Sequence, residues 1–178
     1  MSAVPITPPT ESASEDEAVV DQGGPAIEFV PEEELEDAGY DPGPLDDSVR
    51  ALAQFAVRTV SELKVEDITV VDVRGRTSYC DVLVLCTAAS ERQLRAAASQ
   101  LVMGHKRTGR GRPLGVEGQD SGRWALIDMG DILVHVFYDH WRGYYDLDGL
   151  WMDAERIEMD ELGLTEDGLL PAVEATEE

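Results

Sequence analysis

The chain has 178 residues and a formal net charge of −23, long enough for one domain with a real core. The charge is unevenly spread: residues 1–47 hold 14 Asp and Glu and no Lys or Arg, residues 153–178 hold 10 acidic residues and one Arg, and residues 48–152 hold 13 of each sign. The first residues lack the basic start and apolar run of a secretory signal, and the longest uninterrupted apolar run, Val82–Cys86, is too short to span a bilayer, so the expectation is a soluble, cytoplasmic chain with a charge-balanced globule between acidic ends.

Residues 1–44 are rich in Glu, Asp, Pro, Ser and Gly with little apolar periodicity. Such a segment buries too little apolar surface to offset its ordering entropy, and disorder is expected. The first predicted helix covers about Leu45 to Lys64, where Leu45, Val49, Leu52, Ala56, Val60 and Leu63 recur at spacings of three and four. Asp46 and Asp47 suit its positive end. Two strands come next, Ile68–Arg74 and Asp81–Thr87, around the turn Gly75-Arg76-Thr77-Ser78; Val, Ile, Leu and Cys dominate both, as in central strands. Cys80 and Cys86 fall on or beside one strand, roughly 20 Å apart at ~3.3 Å per residue, too far for a disulfide, so both read as buried, reduced thiols.

A second helix starts at Ser90, where Ser90 and Gln93 fit a reciprocal capping box. It runs to about His105 with Leu94, Ala97, Ala98, Leu101 and Val102 inward. The loop Lys106-Arg107-Thr108-Gly109-Arg110-Gly111-Arg112 carries four positive charges in seven residues. It reads either as a solvated connector or as a contact to nucleic-acid phosphates; with no aromatic among the charges, base stacking is not supported.

A hairpin comes after this loop, with strands Trp124–Ile127 and Ile132–Phe137 around Asp128-Met129-Gly130-Asp131, where Gly supplies a positive φ. Neither strand alternates cleanly, which predicts two strands covered on both faces. His135 interrupts the second strand, and a buried polar side chain needs a partner; the carboxylates of Asp128 and Asp131 are near in sequence. A last helix is expected over about Trp141 to Trp151. Trp124, Trp141, Tyr144, Tyr145 and Trp151 crowd this region, and each is either core or part of an interaction surface, where large aromatics are enriched. Met152, Ile157 and Leu162 show some helical spacing in the acidic tail. The acidic ends read as solubility devices or, more sharply, as a nucleic-acid mimic or as sorting arms, since an acidic tail repels RNA. The predicted architecture is a single α/β domain with a mixed sheet in the order α-β-β-α-β-β-α, over residues 45–152, between a disordered acidic extension at 1–44 and a partly helical or disordered tail at 153–178. No Cys-x-x-Cys or His-x-x-x-His pair appears, so no metal and no cofactor are expected.

Four blocks carry a family resemblance: LKVEDITVVDVRGRTSYCDVLVLCTAASERQL at residues 63–94, RPLGVEGQDSGRW at 112–124, GRWALIDMGDILVHVF ending at Phe137, and RGYYDLDGLW ending at Trp151. In order and nearly without gaps from Leu45 to Trp151, they resemble the ribosomal silencing factors, the Iojap-like proteins. The resemblance implies a nucleotidyltransferase-like fold, binding to the intersubunit face of the large ribosomal subunit at its protein numbered fourteen, a steric block to joining of the small subunit when nutrients are scarce, and a capacity for self-pairing. On that footing Asp128, Asp131, His135, Arg142, Tyr145, Leu150 and Trp151 are the expected partner-binding residues, with Trp124 supporting from beneath.

The rival is an active enzyme of the same fold. Nucleotidyl transfer needs two carboxylates spaced Asp-x-Asp on one strand face to hold Mg²⁺. Here Asp81 is followed by Val82 and Leu83, so the second carboxylate is missing. An enzyme would have to recruit Asp72, which is better placed to cap or to pair with Arg74 or Arg76. The chain is therefore expected not to be an enzyme.

Overall fold

The computed structural model describes residues 42–170; the expectations for residues 1–41 and 171–178 lie outside the described residues. Helix α1 (Asp47–Glu62) buries Val49, Leu52, Ala53, Ala56, Val57 and Val60, one stripe at helical spacing. It starts slightly later than its apolar pattern, because the Asp46 carboxylate accepts from the Ser48 N–H at 2.8 Å and fixes the first turn there. It ends where Lys64 takes a positive φ of 60°. Helix α2 (Glu91–Arg107) is capped by Ser90, whose hydroxyl accepts from the Gln93 N–H. The expected reciprocal half of that box differs. Gln93 accepts instead from the Ala89 N–H at 2.6 Å and donates to the carbonyls of Leu63 and Lys64, tying the end of α1 to the start of α2.

Among the described residues one mixed sheet has the order β3-β4-β5-β2-β1-β6. Its strands are β1 (Glu66–Asp72), β2 (Val82–Ala88), β3 (Gly115–Glu117), β4 (Trp124–Asp128), β5 (Ile132–Tyr138) and β6 (Glu155–Arg156). Only β2 and β5 pair in parallel, seven residues in register from Val82↔Ile132 to Ala88↔Tyr138; the other pairs are antiparallel. β1 begins two residues before its expected start. Its polar opening bulges between Glu66 and Thr69, with Asp67 at φ 50°. Strands β3 and β6 were not expected; they are two or three residues long and carry no run of apolar residues.

The expected single helix over 141–151 is two short ones, α3 (Trp141–Tyr145) and α4 (Leu147–Leu150). Asp146 breaks them by adopting the left-handed region at φ 48° and capping the Gly149 N–H. The helical spacing read into Met152–Leu164 gives turns and β6 rather than a helix. Ile157, Leu162 and Leu164 are nevertheless buried in the same cluster as α1, and the Leu162 carbonyl accepts from Gln54.

The two sheet faces differ. On one, α1 and α2 cover Val70, Val82, Val84, Cys86, Ala125, Ile127, Val134 and Val136. On the other lie Val71, Leu83, Leu85 and Phe137, with Leu147, Trp151 and Ala154 packed against them. Cover on this second face is uneven. Leu83, Leu85 and Val71 are buried, whereas Trp124, Leu126 and Asp128 of β4 and Leu133 of β5 are only half-buried. The expectation that both hairpin strands are covered on two faces therefore holds for most of β5 and fails for β4, which alternates because only its helix side is sealed. No helix among the described residues is long and apolar enough to cross a membrane.

Candidate docking face

Cross-strand register determines which side chains share the open face. Glu117 pairs with Leu126, Leu126 with His135, and His135 with Leu85; one row over, Gly115 pairs with Asp128, Asp128 with Leu133, and Leu133 with Leu83. The open half of the face therefore presents Leu126, Leu133 and Trp124, with Glu117 and Asp128 toward the β3 edge. Beyond them Asp131 is exposed in the hairpin turn.

The centre of this face is an aromatic stack. The Trp124 ring lies 5.6 Å from His135 and 5.9 Å from Phe137, both nearly parallel to it, and 4.9 Å from the tilted ring of Tyr145. The partner of His135 is not a carboxylate, as nearness in sequence suggested. The indole Nε1–H of Trp124 donates to His135 Nδ1 at 3.2 Å, because Trp124 sits one diagonal step along the antiparallel ladder while Asp128 lies opposite Leu133. Accepting at Nδ1 requires that nitrogen to be unprotonated. Burial agrees, pushing the imidazole down to about 4. His135 is thus a neutral, buried support, and Trp124 lies over it.

The other expected contact residues divide by exposure. Leu150 is 69% and Tyr145 40% exposed. Trp151 is half-buried, flanked in the chain by the exposed Leu150 and Met152. Asp128 accepts from the Gly130 N–H across the turn, where Gly130 has φ 90°, and Asp131 lies 3.8 Å from Arg110. Arg142 spends its guanidinium within its own chain. Nε and Nη2 donate to the Asp148 carboxylate at 2.7 and 2.9 Å, Nη2 also to the Thr69 hydroxyl at 2.9 Å, and Nη1 to the Thr87 hydroxyl at 3.2 Å and to the Asp67 carbonyl. Leu126, Leu133 and Glu117 went unrecognised in the sequence. Leu133 shares the parity of His135 on β5 and Leu126 that of Trp124 on β4, which was a usable signal; Glu117 joins the face only through the unexpected β3.

Of the two carboxylates that an enzyme would use, that of Asp72 is already engaged. Asp72 is bound by Arg74 through both carboxylate oxygens, at 2.6 to 3.1 Å, and Arg74 also donates to the carbonyls of Pro42, Gly43 and Pro44. Asp81 stands immediately before β2, its backbone N–H donating to the Asp131 carbonyl at 2.7 Å. Cys80 and Cys86 are buried free thiols, and burial pushes both up to about 12.

A family model described as "Ribosomal silencing factor during starvation" matches residues 46–177. The chain is 34% identical over 116 residues to ribosomal silencing factor RsfS of Halalkalibacterium halodurans, covering 64% of this chain and 96% of that protein. A mouse protein named for mitochondrial assembly of the ribosomal large subunit is 30% identical over 118 residues, 65% of this chain and 52% of that protein. A crystal structure of a Chromobacterium violaceum protein superposes with a TM-score of 0.56 at 33% identity, covering 58% of this chain and 86% of that one.

Proposed function

The chain belongs to the ribosomal silencing factor family, and from that premise we propose that it binds the large ribosomal subunit on its intersubunit face, at the ribosomal protein numbered fourteen, and blocks joining of the small subunit by occupying space. The observation that carries this reading is the half-open sheet face. Leu126, Leu133, Trp124 and Tyr145 leave water-accessible apolar area in one strip, bordered by the carboxylates of Glu117, Asp128 and Asp131. An apolar centre with a polar rim is the ordinary build of a protein-binding surface. An acidic rim selects a partner whose own rim is basic, as a protein packed against rRNA tends to be.

Within this reading the eight expected residues take different parts. Trp124, Tyr145, Leu150 and Trp151 supply contact area, Asp128 and Asp131 supply charge to the partner's Lys or Arg, and His135 and Arg142 act from behind. The loop 106–112 adds rRNA phosphate contacts through the exposed Lys106, Arg107 and Arg112. Arg110 contributes less, since it already donates to the Ser48 carbonyl and faces Asp131. No chemical step is required. Affinity has only to outlast the encounter between subunits.

The test is sedimentation of the full chain with separated ribosomal subunits, then subunit joining measured by light scattering. Co-migration with the large subunit alone, with joining reduced in proportion to occupancy, is the expected result. Binding that leaves joining untouched removes the steric mechanism, and no binding to purified large subunits at low salt removes the whole reading.

A further inference from the structure

We infer that Arg142 and Asp148 are a positioning pair, whose task is to seat the aromatic arm 141–151 against the open sheet face so that Tyr145, Leu150 and Trp151 stand where a partner meets them. The inference rests on the docking reading above and names what orders that surface.

Ring contacts of Tyr145 and Trp141 aside, no buried side chain holds the arm's shape. α3 is five residues long and α4 four, neither contains a fully buried residue, and helices this short are not stable by themselves. Its chain direction depends on Asp139 and Asp146, both at positive φ, 41° and 48°, where a residue with a side chain is held only by its surroundings. Leu147 and Trp151 pack against the sheet, but only as half-buried side chains. The Arg142 guanidinium, by contrast, makes five hydrogen bonds at once: two parallel ones to Asp148 on α4, and one each to Thr69 and Asp67 on β1 and to Thr87 on β2. Planar geometry and five donors are what arginine has and lysine lacks. The bulge in β1 turns the Asp67 carbonyl toward this guanidinium, so strand irregularity and arm placement are one arrangement. Tyr145, three residues along from Arg142, then rests 4.9 Å from Trp124, which connects the clamp to the centre of the open face.

The experiment uses full-length R142K and D148N, with large-subunit affinity, thermal unfolding and near-ultraviolet circular dichroism measured on each. R142K keeps the charge and loses the fork; D148N keeps the shape and loses the charge, and serves if R142K fails to fold. The expected result is at least a tenfold loss of affinity at a temperature where each variant is fully folded. It comes with a changed aromatic ellipticity as Tyr145 leaves Trp124, and with a double variant no weaker than either single one. R142K binding within twofold of the original chain overturns the inference, as does a loss of affinity that only tracks the unfolded fraction. If the unsubstituted chain does not bind the large subunit, the docking reading fails instead; unchanged ellipticity in R142K then overturns the clamp independently.

Discussion

Acidification from pH 8 to pH 5 should weaken the fold in part through His135. Burial holds its imidazole at about 4 in the folded chain, against ~6.5 for an exposed histidine. Between those values the unfolded chain takes up a proton that the folded chain refuses, so stability is complete above pH ~6.5, declines as pH falls toward ~4, and levels off below that. Linkage with these two values gives a loss of about 2 kcal/mol between pH 8 and pH 5. Many carboxylates titrate in the same range, so the contribution has to be read as a difference. His135→Asn retains an acceptor for the Trp124 indole and has nothing to titrate. Urea unfolding of both chains at several pH values between 5 and 8, above the pI of 4.2 where solubility fails, yields two curves. Their separation should narrow by about 2 kcal/mol toward pH 5, a midpoint shift of about 1 M urea. Curves that stay parallel would mean that His135 is not desolvated in the folded state, and the stacked support under Trp124 would be wrong with it.

Leu133→Asp with Leu126→Asp should abolish large-subunit association while moving the melting temperature by only a few degrees, since both side chains are half-exposed; sedimentation with intact association would show that the open face is not the contact. Gly118→Ala should cost about 2 kcal/mol or more in a urea titration. Its φ of 73° disfavours any side chain, and a Cβ there would meet the Trp124 carbonyl, which is backbone and cannot step aside. Cys80 and Cys86, both buried and raised to about 12, should resist Ellman's reagent in the folded chain at pH 8 and react in urea. Fast labelling of both in the native chain would contradict their burial.

The long elements were legible because each carries its own period. Val49 to Val60 marks a helix, and the runs Val82–Cys86 and Ile132–Phe137 mark covered strands. What was lost was decided by distant groups. β3 and β6 are too short for any pattern and exist because β4 and β1 offer them edges. Asp146 carries no signal that distinguishes a helix break from a helical aspartate. His135 was matched to the wrong partner because closeness along the chain favours Asp128 and Asp131, while the ladder brings up Trp124. Arg142 had the look of a free contact residue because three of the groups that take its donors, Asp67, Thr69 and Thr87, lie 55 to 75 positions earlier. The site was legible as a set of unusual side chains; the division between those that touch a partner and those that brace from within was not.

Among the described strands the one parallel pair, β2 with β5, matches residues fifty positions apart throughout. A growing polypeptide reaches Ala88 with β1 and β2 able to zip into a hairpin, but the inner edge of β2 must wait for synthesis to pass Tyr138 before it finds its mate. Loop closure of that span is what the nascent chain waits on. A chain halted at residue 131 should accordingly show no amide protection along Val82–Ala88 beyond what the hairpin gives, and the apolar middle of the sheet would stand open along β2 until Ile132–Tyr138 has been made.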